Sequence, residues 1–187
     1  MCAEAVIAAS LSEPELFAAV FDRHAPQIHR YLARRLTGDA ADDLVGETFL
    51  TAFRRRGTFT TAGGSALPWL YGIATHLIAE HRRQAARVIP LRALAVDDFG
   101  HADRVAADVS AGAMRDTLLA GLAGLADGDR DVLLLIAQEE LTYDQVAAAL
   151  DIPVGTVRSR LHRARRALRA ALGDTNPLHV TEEATHG

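Results

Sequence analysis

The segment from Pro153 to Leu172 constrains the fold most. It carries Arg158, Arg160, Arg163, Arg165, Arg166 and Arg169 and no acid. The span before it holds Asp127, Asp129, Asp131, Glu139, Glu140, Asp144 and Asp151 against the single Arg130. Val157, Leu161, Ala164 and Leu168 recur at i, i+4, i+7 and i+11, which predicts one buried seam on a long helix from about Val154 to Leu172. The remaining surface of that helix is crowded with like charge, which destabilises an isolated helix. Upstream, Leu141 to Leu150 reads as a short helix capped by Thr142, with Val146, Ala147 and Leu150 turned inward. Asp151-Ile152-Pro153 forms the turn, with Ile152 plugging the angle between the two helices. This is a helix-turn-helix pattern, whose second helix enters the major groove of DNA. Thr156, Arg158, Ser159, Arg160, His162 and Arg163 are positioned for base edges, and Arg165, Arg166 and Arg169 for phosphates. The competing reading is a basic helix lying over its own acidic domain.

Average charge hides this sorting. The 187-residue chain has a formal charge of -4 and is 49% hydrophobic, a globular balance rather than a disordered one. All 20 basic residues are Arg, so only their positions are informative. Alanine is abundant and no alternating run is long enough for a strand, which predicts an all-α protein. No apolar run approaches the length of a bilayer span, and no secretory leader opens the chain, so direct membrane insertion is not expected and the location expected is cytoplasmic. The lone Cys2 excludes an internal disulfide framework and any multi-Cys zinc site.

Four stretches separate: helices over 13–87, a linker over 88–112 containing Asp97, Asp98, Asp103 and Asp108, helices over 113–172, and a polar tail over 173–187. The expected architecture is two small helical domains on a flexible linker, the C-terminal one the helix-turn-helix. In the first domain, Asp39 can cap a helix running to about Arg56, with Val45, Phe49, Ala52 and Phe53 as its buried stripe. Asp43, Glu47, Leu50 and Arg54 fall on the opposite face, either a partner surface or a solvated face with one exposed Leu. A third helix begins at Pro68 and buries Leu70, Ile73, Ala74 and Leu77. On another face it carries Trp69, Gly72, His76, Glu80 and Arg83, with Arg82, Arg83 and Arg87 towards its end. That face suits stacking on bases and holding phosphates. It equally suits a core Trp and arginines complementing the helix dipole. The loop Gly57 to Ser65 could reach a ligand or simply connect.

These residues resemble the sigma-70 family of bacterial RNA polymerase specificity subunits, in its extracytoplasmic-function group. Residues Asp42 to Phe53 resemble the family's polymerase-binding helix, Trp69 to Leu77 its minus-10 promoter-reading helix, and Ile152 to Arg165 its minus-35 recognition helix. The resemblance implies that 13–87 binds core polymerase and reads and melts the minus-10 element, and that 113–172 recognises the minus-35 element. It implies that Asp43, Glu47 and Leu50 contact the clamp helices of the largest polymerase subunit. The loop Thr58 to Ser65 and the face of Trp69, His76, Arg82 and Arg83 become the minus-10 reader. Core RNA polymerase and promoter DNA are the implied partners, an anti-sigma factor a further one, and no cofactor or metal is implied. Gly46 stands where the family often has Gln, and Gly72 and His76 where Arg and Asn are common. Asp151 replaces a frequent turn Gly, which Asp tolerates by entering the left-handed region.

Two other classes compete with this reading. A stand-alone helix-turn-helix regulator predicts a dimer and a palindromic site. It leaves the first domain without a task. An enzyme is not expected: His76, Glu80 and His81 share a helix, but no nucleophile motif, phosphate loop or metal constellation accompanies them.

Overall fold

The computed structural model describes residues 3–36, 39–60, 65–88 and 109–173. Cys2, residues 61–64 of the loop, 89–108 of the linker and 174–187 of the tail lie outside them. Among the described residues the fold is all-α, with eight α-helices and two short 3-10 turns. The first half contains α1 (Ala3–Ala9), α2 (Ala18–Ala33), α3 (Asp39–Arg55) and α4 (Ala66–Val88); the second contains α5 (Val109–Ala123), α6 (Asp127–Ala137), α7 (Tyr143–Leu150) and α8 (Val154–Ala171).

Helix α1 was not legible in the sequence, because seven residues are too few for periodicity to show. It buries Ala3, Val6 and Ile7 at i, i+3 and i+4. Its segment also ties down both ends of the loop before α4. The backbone N–H of Ala66 donates to Glu4 Oε1 at 3.1 Å, and Arg56 Nε donates to the Ser10 carbonyl at 3.2 Å.

The buried stripe of α3 is rotated from the one expected. Ala41, Leu44, Thr48, Phe49 and Ala52 form it, while Val45 and Phe53 are only partly buried at its margins. Thr48 is accommodated because its hydroxyl donates to the Leu44 carbonyl at 2.6 Å, a helical back-bond that apolar counting overlooks. Gly46 is exposed, and nothing lies within 4 Å of the place a Cβ would take. Gly46→Ala is therefore expected to stabilise the protein by roughly 0.5–1 kcal/mol through helix propensity alone, read as a higher melting temperature. A fall in melting temperature would mean that the site is sterically closed.

In the second half, Arg130 is 8% exposed and knits the α5–α6 turn. Its guanidinium donates to the carbonyls of Leu122 (2.8 Å), Ala123 (2.7 Å) and Leu125 (2.9 Å) and to Asp127 Oδ1 (3.0 Å). Helices end with carbonyls that have no partner in the helix, and here one side chain serves them. Arg130→Ala would leave the Ala123 and Leu125 carbonyls without it, although Leu122 keeps the Leu125 N–H and Asp127 keeps Arg82; the expected cost is on the order of 2–4 kcal/mol, seen as an earlier denaturant midpoint. A shift under about 0.5 kcal/mol, the level of an ordinary surface change, would show that water replaces it.

The helix-turn-helix forms as the sequence reading expects. Thr142 caps α7 in a reciprocal capping box with Gln145. Asp151 ends it in the left-handed region at φ 51°, ψ 50°. Val157, Leu161 and Ala164 are buried along α8, with Leu168 partly so. The sequence did not reveal that the two halves touch: α4 lies along α7, with α6 beside it.

Candidate nucleic-acid and partner interfaces

The arginines of α8 divide into two sets. Arg158, His162, Arg165, Arg166 and Arg169 are exposed and, with Tyr143 at the start of α7, line one groove. Their spacing, i, i+4, i+7, i+8 and i+11, makes them a single stripe beside the buried seam. Arg160 and Arg163 turn the other way, towards α6. Arg163 grips Asp129 with two hydrogen bonds of 2.9 and 2.7 Å, which raise its already high pKa. The Arg160 guanidinium lies so close over Gly128 that a Cβ there would meet its Nη1 at 2.7 Å. Of the two residues expected at base edges, Arg163 is exposed but held by Asp129, and Arg160 leans over the backbone of Gly128. The charge-over-acid reading describes Arg163 on Asp129, and not Arg160 over Gly128 or the exposed stripe. Thr156 is half-buried, and Ser159 is exposed with its hydroxyl on the Thr156 carbonyl at 3.0 Å.

The residues singled out on α4 are less uniform than their spacing implies. Trp69 is half-buried and stacks at a tilt on Phe59, ring centroids 5.1 Å apart. His76 and Arg83 are exposed. Arg82 is not an open end-of-helix cation: it lies 3.6 Å from Asp127 of α6 and 3.5 Å from the Arg35 carbonyl. Gly72, on the same face as His76, is covered by α7.

On α3, Asp43, Glu47 and Leu50 are all exposed and lie on one stripe at i, i+4 and i+7; Leu50 is 48% exposed. Asp43 and Glu47 also edge a groove against α4, completed by Leu44, Leu77, Glu80, His81 and Gln84. Phe21 of α2 is also exposed and packs edge-on against the buried Phe49, centroids 4.9 Å apart.

Sequence reasoning missed a cluster where the halves meet. Arg35 is 4% exposed; it pairs with Asp131 at 3.1 Å, donates to the Tyr31 hydroxyl at 2.6 Å, and lies over the Tyr31 ring. Tyr31 bonds Thr75 and packs on Tyr71, which donates to Glu139. Arg34 stands 3.6 Å from Glu139. Burial pushes the Tyr31 hydroxyl up to about 12, and burial with the adjacent Glu139 drives Tyr71 well above its usual value, so both stay neutral donors. Burial also raises Asp131, against the pull of Arg35. The only sequence trace of this cluster was the acid-rich span itself. No group of three or more His, Cys, Asp and Glu able to hold a metal ion occurs among the described residues, and no described helix is long and apolar enough to cross a membrane.

Comparison with known proteins adds independent findings. Residues 20–88 match the family model for Sigma-70 region 2, and residues 115–168 that for Sigma-70, region 4. The chain is 36% identical over 172 residues to the ECF RNA polymerase sigma factor SigL of Mycobacterium tuberculosis, covering 89% of this chain and 94% of that one. It is 31% identical to the RNA polymerase sigma factor CarQ of Myxococcus xanthus, covering 86% and 91%. Among solved structures, CnrH in complex with the cytosolic domain of CnrY has the same fold, with a TM-score of 0.64, 21% identity, and 92% and 98% coverage. So does the sigma factor RpoE in complex with the anti-sigma factor NepR from Bartonella quintana, with a TM-score of 0.60, 22% identity, and 83% and 96% coverage.

Proposed function

The chain belongs to the extracytoplasmic-function group of the sigma-70 family, and on that premise we propose how its surfaces share the work of starting transcription. It is an RNA polymerase sigma factor that directs the enzyme to specific promoters. Its partners are core polymerase and promoter DNA. The observation that carries the division of labour is the exposed cationic stripe on α8, in a helix-turn-helix, together with an acidic and apolar stripe on α3 in the same chain.

In this reading residues 13–87 form the unit that docks on core polymerase through Asp43, Glu47 and Leu50. The face of α4 with Trp69, His76, Arg82 and Arg83 takes the minus-10 element, stacking on bases of the melted strand and holding its backbone. Residues 113–172 read the minus-35 duplex: Thr156, Arg158, Ser159 and His162 at base edges, with Arg160 and Arg163 joining only on leaving α6, and Arg165, Arg166 and Arg169 on phosphates. The stretch 88–112 connects the two units, and 173–187 is a polar tail. Two weak sites on one chain raise each other's effective concentration, so neither needs high affinity alone. The protein makes and breaks no bonds, needs no cofactor, and works in the cytoplasm where polymerase is. A fold shared with a factor held by NepR supports an anti-sigma protein as a further partner.

Run-off transcription with purified core polymerase tests this. Discrete transcripts from promoter fragments are expected only when both proteins are present. A protein that instead binds palindromic duplex as a dimer and leaves core polymerase inert would be a stand-alone regulator. His76→Asn is expected to change the preferred minus-10 bases in the same assay while preserving core binding. An unaltered base profile removes His76 from the reader.

A further inference from the structure

Helix α1 lies outside the span that matches the Sigma-70 region 2 model, which begins at residue 20, yet it reaches the start of α4. It packs on α2 and on the 3-10 turns Pro14–Phe17 and Arg56–Thr58. Glu4 is half-buried, and its Oε1 accepts the backbone N–H of Ala66, 62 residues away in sequence, at 3.1 Å. Ala66 opens α4 and is 1% exposed. The first N–H groups of a helix have no partner within it, and a carboxylate at that end also complements the positive pole of the helix. Glu4 therefore fixes where α4 begins.

Trp69 stands in that same first turn. From Leu70 onward α4 is held by its own buried residues, Leu70, Tyr71, Ile73, Ala74 and Ile78. Trp69 precedes this anchor, is half-buried and stacks on Phe59. Phe59 in turn follows the turn Arg56–Thr58, its N–H donating to the Arg56 carbonyl at 3.3 Å. Arg56 is fastened from the residue that follows α1. Its Nε donates to the Ser10 carbonyl at 3.2 Å, and its guanidinium lies 3.9 Å over the Phe53 ring. Ser10 is itself fully buried, with its hydroxyl on the Ile7 carbonyl at 2.6 Å. Both rings of the Phe59–Trp69 pair thus trace back to the α1 segment.

We propose that the α1 segment is a positioning element for minus-10 recognition, in which Glu4 and the Ser10 carbonyl hold the Phe59–Trp69 pair in the orientation from which Trp69 stacks on a melted base. The proposal rests on the reading of the Trp69 face as the minus-10 reader and assigns the part of the chain that sets it. Glu4 and Ser10 touch no DNA in this scheme; they act through Trp69. A ring that must be ordered on binding loses free energy to that ordering, so a ring already held binds a base more tightly and discriminates more sharply.

Trp69 is the only tryptophan of the chain, so its fluorescence reports on this site without a label. The full-length protein is compared with Glu4→Ala and with Glu4→Gln, whose amide oxygen can still accept the Ala66 N–H. Glu4→Ala should red-shift the Trp69 emission and open it to quenching by acrylamide. Holoenzyme reconstituted with core polymerase is then assayed on promoter fragments randomised across the minus-10 element beside a fixed minus-35 element. Glu4→Ala should lose about five-fold of the discrimination between minus-10 bases, the low end of what one stacked base contributes. Core binding and affinity for the minus-35 duplex should be unchanged, and Glu4→Gln should restore both the emission and the base profile. Arg56→Ala, which frees the other side of the pair, should reproduce the loss and covers the case in which Glu4→Ala misfolds. Unmoved emission and an unchanged base profile in both alanine variants would overturn the positioning role. So would a loss shared equally by every promoter and not rescued by Glu4→Gln, the mark of a merely structural contact. Trp69→Ala separates this from the reading beneath it. If Trp69→Ala alters the base profile and Glu4→Ala does not, only the positioning role falls. If Trp69→Ala leaves the profile unaltered, the minus-10 reading of α4 falls and takes the positioning role with it.

Discussion

Glu47→Arg is expected to abolish association with core RNA polymerase while leaving the fold intact. Glu47 lies between Asp43 and Leu50 on the exposed stripe of α3, one helical turn from each. The helix faces inward through Leu44, Thr48, Phe49 and Ala52, so nothing buried depends on residue 47. On the proposed docking, Leu50 is the anchor that polymerase desolvates, and the acids beside it select a basic partner. Reversing one charge replaces attraction with like-charge contact, which costs several kcal/mol, on the order of a hundred-fold or more in Kd. Co-purification with core polymerase reads the loss directly, and an unchanged circular dichroism melt shows that the helix survives. Undiminished co-purification would mean that polymerase docks elsewhere.

That stripe was legible because exposure and helical spacing are local properties. So was the helix-turn-helix, where the Thr142 cap, the left-handed Asp151 and the buried seam of α8 are each set by neighbours in sequence. The side-chain partners across elements were not. Spacing puts Arg160 and Arg163 on the helix proposed to meet DNA, but it cannot reveal that Gly128 and Asp129 stand behind them. Likewise Gly72 read as a departure from a family pattern, whereas its role emerges only when Ala149 approaches it from another helix, 77 residues away in sequence. Arg34 and Arg35 gave no pattern at all, because their acids come from α6 and the turn after it. Helix periodicity encodes which face is buried. It does not encode against what, and at the contact between the halves that difference decides which cations are available.

The same distinction sets the effect of removing the free cations. Arg165, Arg166 and Arg169 are exposed on the last turns of α8, and none has an ion-pair partner among the described residues. Replacing all three with alanine leaves the seam of Val157, Leu161 and Ala164 untouched, and it relieves mutual repulsion along the helix. The helix should therefore persist while DNA binding falls. Each phosphate neutralised by an arginine releases condensed counterions, contributing about 0.9 to the slope of log affinity against log salt. Polymerase carrying the triple variant is expected to bind promoter and non-promoter fragments more weakly by a similar factor, on the order of ten-fold or more at low salt, with a slope shallower by roughly 2–3. Arg158→Ala, in the first turns of the helix, should by contrast cost about 1–3 kcal/mol on the preferred minus-35 sequence and little on others. Titrations of both fragments at several salt concentrations separate these outcomes. An unchanged slope would take the three arginines off the phosphate backbone, and a loss confined to the promoter fragment would make them base readers.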